Sequence, residues 1–394
     1  MHAPDIYLDH AATTPVDPRV LDVMLPFFSE RFGNPSSIYA LGRDARAGLD
    51  WARETLAQCL NCQPRELVFT SGATESNNLA IKGVAWWNQL NTSAPTRRHI
   101  VISAIEHHAV LHAAEALVAQ GFALTVVPPD SFGRLAPEAI VTALRPETCL
   151  ISVMLANNEI GTVQPIRQIV EQVRAYRRDI SVHTDAVQTA GALPLDVEAL
   201  GIDLLSLSAH KFYGPKGVGL LYVRRRTPIL WQQHGGGQEN TRRGGTENTP
   251  GIVGMAAALH LANAELTGRS AHALELRELL IDGLLERIPD ARLNGHPTER
   301  LPNNVNISFG GVDGETLLLN LDMAGISASS GSACSTGSTE PSHVLTALGL
   351  TPESARGSLR LSVGKDNTRA EIERAIDVIV ETVARVREFA VVSG

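Results

Sequence analysis

Leu204-Leu-Ser-Leu-Ser208-Ala-His210-Lys211-Phe-Tyr-Gly214-Pro-Lys216-Gly217 is an apolar run that stops at a polar, glycine-rich turn. Upstream, Ser181-Val-His-Thr-Asp185 does the same and closes on a carboxylate. Further runs of this kind lie at 66–70, 99–104, 124–128, 149–156 and 219–223. Helical patterns fall between many of them, near 75–88, 109–120, 137–144 and 166–177. Strand and helix in alternation predict an α/β fold: one large, mostly parallel sheet with helices on both faces. Runs that are apolar at nearly every position fit strands covered on both sides.

Beyond Thr249 the pattern changes. Two long helical stretches come first, near 252–266 and 271–288, with Leu274, Leu276, Leu279, Leu280 and Leu284 as a buried stripe on the second. A strand is predicted at 305–309, short helices at 315–321 and 343–348, and an alternating strand at 358–363. Thr368 followed by Glu371 is a capping box that opens a final helix to about Glu388. This predicts a large α/β domain over 13–260 and a smaller α+β domain over 1–12 and 261–394. The stretch 88–98 is expected to be a surface loop.

The chain has 394 residues, 44% of them hydrophobic and 19% charged, enough for a sizeable core. That excludes a disulfide-stapled mini-protein, a collagen-like chain and a globally disordered one. A net charge of −8 argues against nucleic acid or an anionic membrane as the main partner. No stretch has the roughly 20 apolar residues of a membrane span, and residues 1–9 do not read as a signal peptide. Four cysteines, Cys59, Cys62, Cys149 and Cys334, suit a reducing compartment, and a cytoplasmic location is expected. Cys59 and Cys62 form a CxxC with no second pair to complete a zinc site, so core packing is the simpler reading and no metal is expected.

Polar groups at the ends of the predicted strands suggest the chemistry. Lys211 just past a buried strand is either a solvated loop lysine or an amine held at a crevice mouth, able to form a Schiff base; Lys216, in the Gly-Pro-Lys-Gly turn, is its nearest rival. Asp185 needs a cationic partner if buried, and an Asp–pyridinium pair would supply one; the plain alternative is a helix cap. Gln188 lies one turn later. The stretch Thr70-Ser-Gly72-Ala73-Thr74-Glu75-Ser76 joins a strand to a helix, where free N–H groups can form a phosphate cup or serve ordinary capping. His107 can stack on an aromatic cofactor or be a satisfied loop histidine. Asn157-Asn158-Glu-Ile-Gly ends another strand. Four strand ends suited to one planar, phosphorylated cofactor weigh more than any single motif. Cys334 sits in a Ser/Gly-rich segment, a setting for an exposed, reactive thiol. Arg360 can clamp a carboxylate or form an ion pair.

Tyr7-Leu-Asp-His-Ala-Ala-Thr-Thr-Pro, Phe69-Thr-Ser-Gly-Ala-Thr-Glu-Ser, Asn157-Asn-Glu-Ile-Gly, Ser208-Ala-His-Lys and Ser330-Gly-Ser-Ala-Cys-Ser resemble the NifS/IscS-type cysteine desulfurases. These are class V aminotransferase-like enzymes, and the resemblance spans essentially the whole chain. It implies a type I fold of the transferases that depend on pyridoxal 5′-phosphate (PLP), with L-cysteine converted to L-alanine. It implies Lys211 as the Schiff-base lysine and proton acceptor, Asp185 on the pyridine nitrogen, His107 stacked on the ring and moving protons, and Gln188 on the phenolic oxygen. Asn158 would lie near the ring substituents. Thr74, Ser208 and His210 would hold the phosphate, with Ala73 beside them. Thr246 would reach the phosphate of a neighbouring subunit, making a homodimer with shared sites. Arg360 would bind the substrate carboxylate, and Cys334 would take the sulfur as a persulfide. The sulfur would pass to an acceptor protein, an iron–sulfur scaffold or a thiolation partner. The segment around Cys334 resembles group I enzymes, whereas the chain runs to Gly394 without the longer tail by which housekeeping relatives engage their scaffold. A selenocysteine lyase-like enzyme and a non-catalytic dimeric sulfur-transfer platform are the alternatives.

Overall fold

The computed structural model describes residues 6–91, 97–330 and 341–392. After β1 (Ile6–Tyr7) the chain builds one seven-stranded sheet. Its strands are β2 (Leu67–Thr70), β3 (His99–Ser103), β4 (Ala123–Val127), β5 (Thr148–Ser152), β6 (Ser181–Asp185), β7 (Leu204–Ser208) and β8 (Gly219–Val223). Every apolar run expected to be a strand here is one. The order is β2-β8-β7-β6-β5-β3-β4. β7, β6, β5, β3 and β4 pair in parallel, while β8 is antiparallel to both its neighbours. β2 therefore points the same way as the parallel set. The strands other than β8 all end at one edge, at Thr70, Ser103, Val127, Ser152, Asp185 and Ser208. β8 begins at that edge with Gly219.

Alternate residues of each strand feed two apolar cores. Leu67, Phe69, Leu205 and Leu207 pack with helices Ala40–Leu60, Ile166–Tyr176 and Thr249–Ala264. Val68, Leu204 and Leu221 pack on the opposite side with helices Ala73–Asn91 and His108–Val118. Helix Thr249–Ala264 is buried nearly all round, as its uniform apolar composition requires. β4 departs from the continuous apolar reading: Ala123 and Val126 are exposed, because it is the edge strand.

A second sheet has the order β12-β13-β10-β9, with β9 (Ala291–Leu293), β10 (Asn304–Phe309), β12 (Ser329–Ser330) and β13 (Ser358–Ser362), all antiparallel. β13 is buried throughout rather than alternating, being flanked on both sides. β1 pairs in parallel with β11 (Ile326–Ser327). Helices Leu266–Arg287 and Arg369–Val392 cover this part. Leu276, Leu280 and Leu284 form the buried stripe with Leu279 at its margin, but Leu274 is exposed. The capping box forms, with Thr368 N–H donating to Glu371 at 2.6 Å and Glu371 N–H to Thr368 Oγ1 at 3.2 Å. The expected loop over 88–98 is helical through Asn91, and residues 92–96 lie outside the described residues.

Residues 6–17 run between the two sheets. Ala11 N–H donates to Ser362 Oγ at 2.8 Å, Thr14 N–H to the His210 carbonyl at 2.9 Å, and Asp17 N–H to the Tyr213 carbonyl at 3.0 Å. The N-terminal strap is thereby fastened to β13 at one end and to the turn after β7 at the other.

Candidate active site

The strand-end edge opens into a cavity of about 620 Å³. Its walls include Lys211, Asp185, Gln188, His107, Asn158 and Arg360, with Ala73, Thr74, Ser208 and His210 around one end. Lys211 lies on the single helical turn Ala209–Lys211, where β7 stops. Its Nζ donates to the Ala11 and Ala12 carbonyls, both at 2.7 Å. Gln188 Nε2 donates to the same Ala11 carbonyl at 3.1 Å. Lys216 also lines the cavity, as the turn into β8 brings it to this edge.

Asp185 ends β6 with only 5% of its surface exposed. Asn77 Nδ2 donates to its Oδ2 at 2.6 Å and Val187 N–H to its Oδ1 at 3.0 Å. Both donors are neutral, and no salt bridge joins Asp185 to a cation among the described residues. A buried carboxylate in that state favours a positively charged ligand atom. His107 caps helix His108–Val118, its Nδ1 accepting from Ala109 N–H at 3.0 Å. That bond leaves Nε2 to carry the proton of the neutral ring. Burial lowers the affinity of His107 for a second proton, against the pull of Asp185. His210 is pushed down to about 4 by burial and by the neighbouring Lys211 and Lys216, so it is neutral; its Nδ1 lies 3.1 Å from Thr13 Oγ1.

Ala73 opens helix Ala73–Asn91 at the cavity wall. First-turn N–H groups have no acceptor within their own helix and carry the positive end of its dipole. Gly219 lets the backbones close up behind this point: a Cβ on it would stand 2.5 Å from the Gly72 carbonyl carbon. Arg360, on β13, is buried and bonded through Nη2 to Asp9 at 2.8 Å and through Nη1 to the Asn158 carbonyl at 3.3 Å. Its Nε is buried without a partner. The surface ion pair considered as one alternative for Arg360 is therefore a buried one.

Thr246 is exposed and is not among the residues that line the cavity of its own chain. Cys334 lies outside the described residues. Cys59 and Cys62 pack against the core, where burial pushes their thiols up to about 11 and 12.

Sequence reading missed Asn77 and two buried acids. Glu106 is pushed up to about 8 by burial, against bonds from Ser103 Oγ at 2.5 Å and Met154 N–H at 2.8 Å. Glu159 is pushed up to about 7 by burial and accepts from Ser342 Oγ at 2.5 Å. Asn77 stands one helical turn beyond Ala73, on the helix that opens at the cavity. A lone acid beside His107 could have flagged Glu106.

A lysine amine, a buried carboxylate with neutral donors and a helix N-terminus around one cavity form a donor set that fits PLP. Fold and cavity together define a class, the type I PLP-dependent transferases. The family described as aminotransferase class-V matches residues 6–375. "Cysteine desulfurase IscS" of Methanosarcina thermophila is 50% identical over 385 residues, 98% of this chain and 93% of that protein. A solved "NIFS-LIKE PROTEIN" superposes with a TM-score of 0.90 at 39% identity, covering 96% of this chain and 99% of that one. SspA, solved in complex with cysteine, gives 0.80 at 37% identity, with 92% and 100% covered. The chain belongs to the class-V aminotransferase family and, within it, to the cysteine desulfurases of the IscS/NifS type.

Proposed function

We propose that the protein is a PLP-dependent cysteine desulfurase that converts L-cysteine to L-alanine and carries the sulfur on Cys334 as a persulfide. The observation that carries this reading is the meeting of Lys211, Asp185, His107 and Arg360 in one cavity. When bound, PLP stores the electron pair released at the substrate Cα. Asp185 would pair with the ring nitrogen and favour its protonated form, Gln188 would hold the phenolic oxygen, and His107 would stand against the ring. Ala73, Thr74, Ser208 and His210 hold the phosphate. Arg360 receives the substrate carboxylate, with Asp9 fixing its guanidinium. Lys211 accepts the Cα proton, and the Ala11 and Ala12 carbonyls stabilise the ammonium so formed. The Cys334 thiolate attacks the substrate sulfur: an S–S bond forms, the C–S bond breaks, and its electron pair stays with the substrate fragment, which is protonated to alanine.

The working form is a homodimer in which Thr246 completes the neighbour's phosphate site. Leu25, Phe28, Phe32 and Ile38 support this, as all four are large apolar side chains left exposed in the segment just before helix Ala40–Leu60. The sulfur passes to an acceptor protein for iron–sulfur cluster assembly or thiolation. The cytoplasm suits a chain whose Cys59, Cys62 and Cys149 are free thiols, and no described helix is long and apolar enough to cross a membrane.

The test measures alanine and sulfide from L-cysteine with a reductant present, wild type beside Cys334→Ala. Equal amounts of both products from wild type are expected. The variant should retain the bound-cofactor absorbance and lose nearly all turnover. Sulfide release at the wild-type rate from Cys334→Ala would replace the persulfide route with a simple lyase.

A further inference from the structure

Asn77 has no side-chain contact with solvent. It lies on helix Ala73–Asn91, whose first turn lines the cavity, and it lines the cavity itself beside Asp185. There its Nδ2 donates to Asp185 Oδ2 at 2.6 Å, while Val187 N–H takes the other oxygen at 3.0 Å. Each carboxylate oxygen thus has one fixed neutral donor, and the plane of the group is set. Asn77 Oδ1 is buried with no partner, so this side chain is not placed to satisfy its own hydrogen-bonding capacity.

We propose that Asn77 is a positioning residue for the reaction: it orients the Asp185 carboxylate toward the ring nitrogen and sets its distance from the phosphate end of the cavity. This rests on the PLP reading of the cavity. The amide suits the task because it is a donor without charge. Lysine or arginine there would neutralise Asp185 and remove the anion that keeps the ring nitrogen protonated. A carboxylate would repel it, and an apolar side chain would leave one oxygen free to turn. Because the helix that carries Asn77 also carries Ala73 and Thr74, a shift of the helix moves both ends of the site together.

The experiment uses the full-length holoenzyme and two substitutions, Asn77→Leu and Asn77→Asp. Asparagine and aspartate have nearly the same shape, so Asn77→Asp keeps the packing if leucine disturbs it. Readouts are the PLP dissociation constant, the pH titration of the bound-cofactor absorbance, and kcat and KM for L-cysteine. Loss of a hydrogen bond to a charged group predicts that Asn77→Leu weakens PLP binding about 10-fold to 100-fold. The absorbance titration should move, and kcat should fall while KM changes little. Asn77→Asp should show the same loss at pH 8 and recover PLP affinity as pH falls and the new carboxyl regains a proton to donate. Wild-type binding and titration behaviour in both variants, or an Asn77→Asp defect that does not ease at low pH, would reduce Asn77 to a helix–sheet contact. Failure of the wild-type protein itself to bind PLP would instead sink the reading of the cavity.

Discussion

Arg360 and Asp9 show how one pair can serve both stability and specificity. The guanidinium is almost wholly buried, and Asp9 at 2.8 Å is its only carboxylate partner among the described residues. Removing one partner of a buried pair leaves an uncompensated charge, so Asp9→Ala should cost about 3–5 kcal/mol in urea unfolding. Arg360→Lys keeps the charge but loses the planar fork, so it should raise KM for L-cysteine more than it lowers kcat. Glu106 makes a different prediction. Its affinity for a proton is higher folded than unfolded, up to about 8 from 4.5. The unfolded chain therefore ionises first, and stability falls as pH rises from about 4.5 to about 8. Glu106→Gln removes that dependence, so its melting temperature relative to wild type should rise steadily across this window and level off above it. A constant difference would mean that Glu106 does not titrate in that range. Residues whose chemistry is peculiar to their type were legible in the sequence: Lys211, Asp185, His107 and Arg360 all line the cavity. Asn77 was not, since an asparagine one turn into a helix gives no hint that its partner lies 108 residues away. The Ala11 and Ala12 carbonyls leave no side-chain signature at all.

At the scale of elements, strand existence was legible and strand direction was not. Each run was bounded by polar or glycine residues, which is the signal periodicity carries. Periodicity says nothing of polarity, so the reversal of β8 emerges only in the structure. That reversal brings Lys216 and Gly217 to the cavity and sets Gly219 against Gly72. A methyl on Gly219 would meet backbone at 2.5 Å and 2.6 Å, which cannot move aside cheaply. Gly219→Ala should therefore displace the turn before helix Ala73–Asn91 and weaken PLP binding by about tenfold or more, the equivalent of 1–3 kcal/mol of overpacking. Equilibrium dialysis against PLP is the check. Gly268→Ala, where an added Cβ meets nothing, is the control.

On the scale of the whole molecule, the exposed apolar side chains Leu25, Phe28, Phe32 and Ile38 should be covered in solution. Phe28→Glu with Ile38→Glu should convert the proposed homodimer to monomer in sedimentation velocity, and cysteine turnover should fall with it if Thr246 works across the interface. An unchanged dimer would place the interface elsewhere. The strap has a further consequence for how the protein is made. Lys211 is cradled by the Ala11 and Ala12 carbonyls, and the Ala11 N–H is held by Ser362, 351 positions later. A ribosome that has finished the large sheet has not yet made the strand that fastens the strap. Chains arrested before β13 should thus emerge with the sheet formed and the strap lacking its bond to Ser362. The cavity wall is then complete only once β13, which also carries Arg360, has been made.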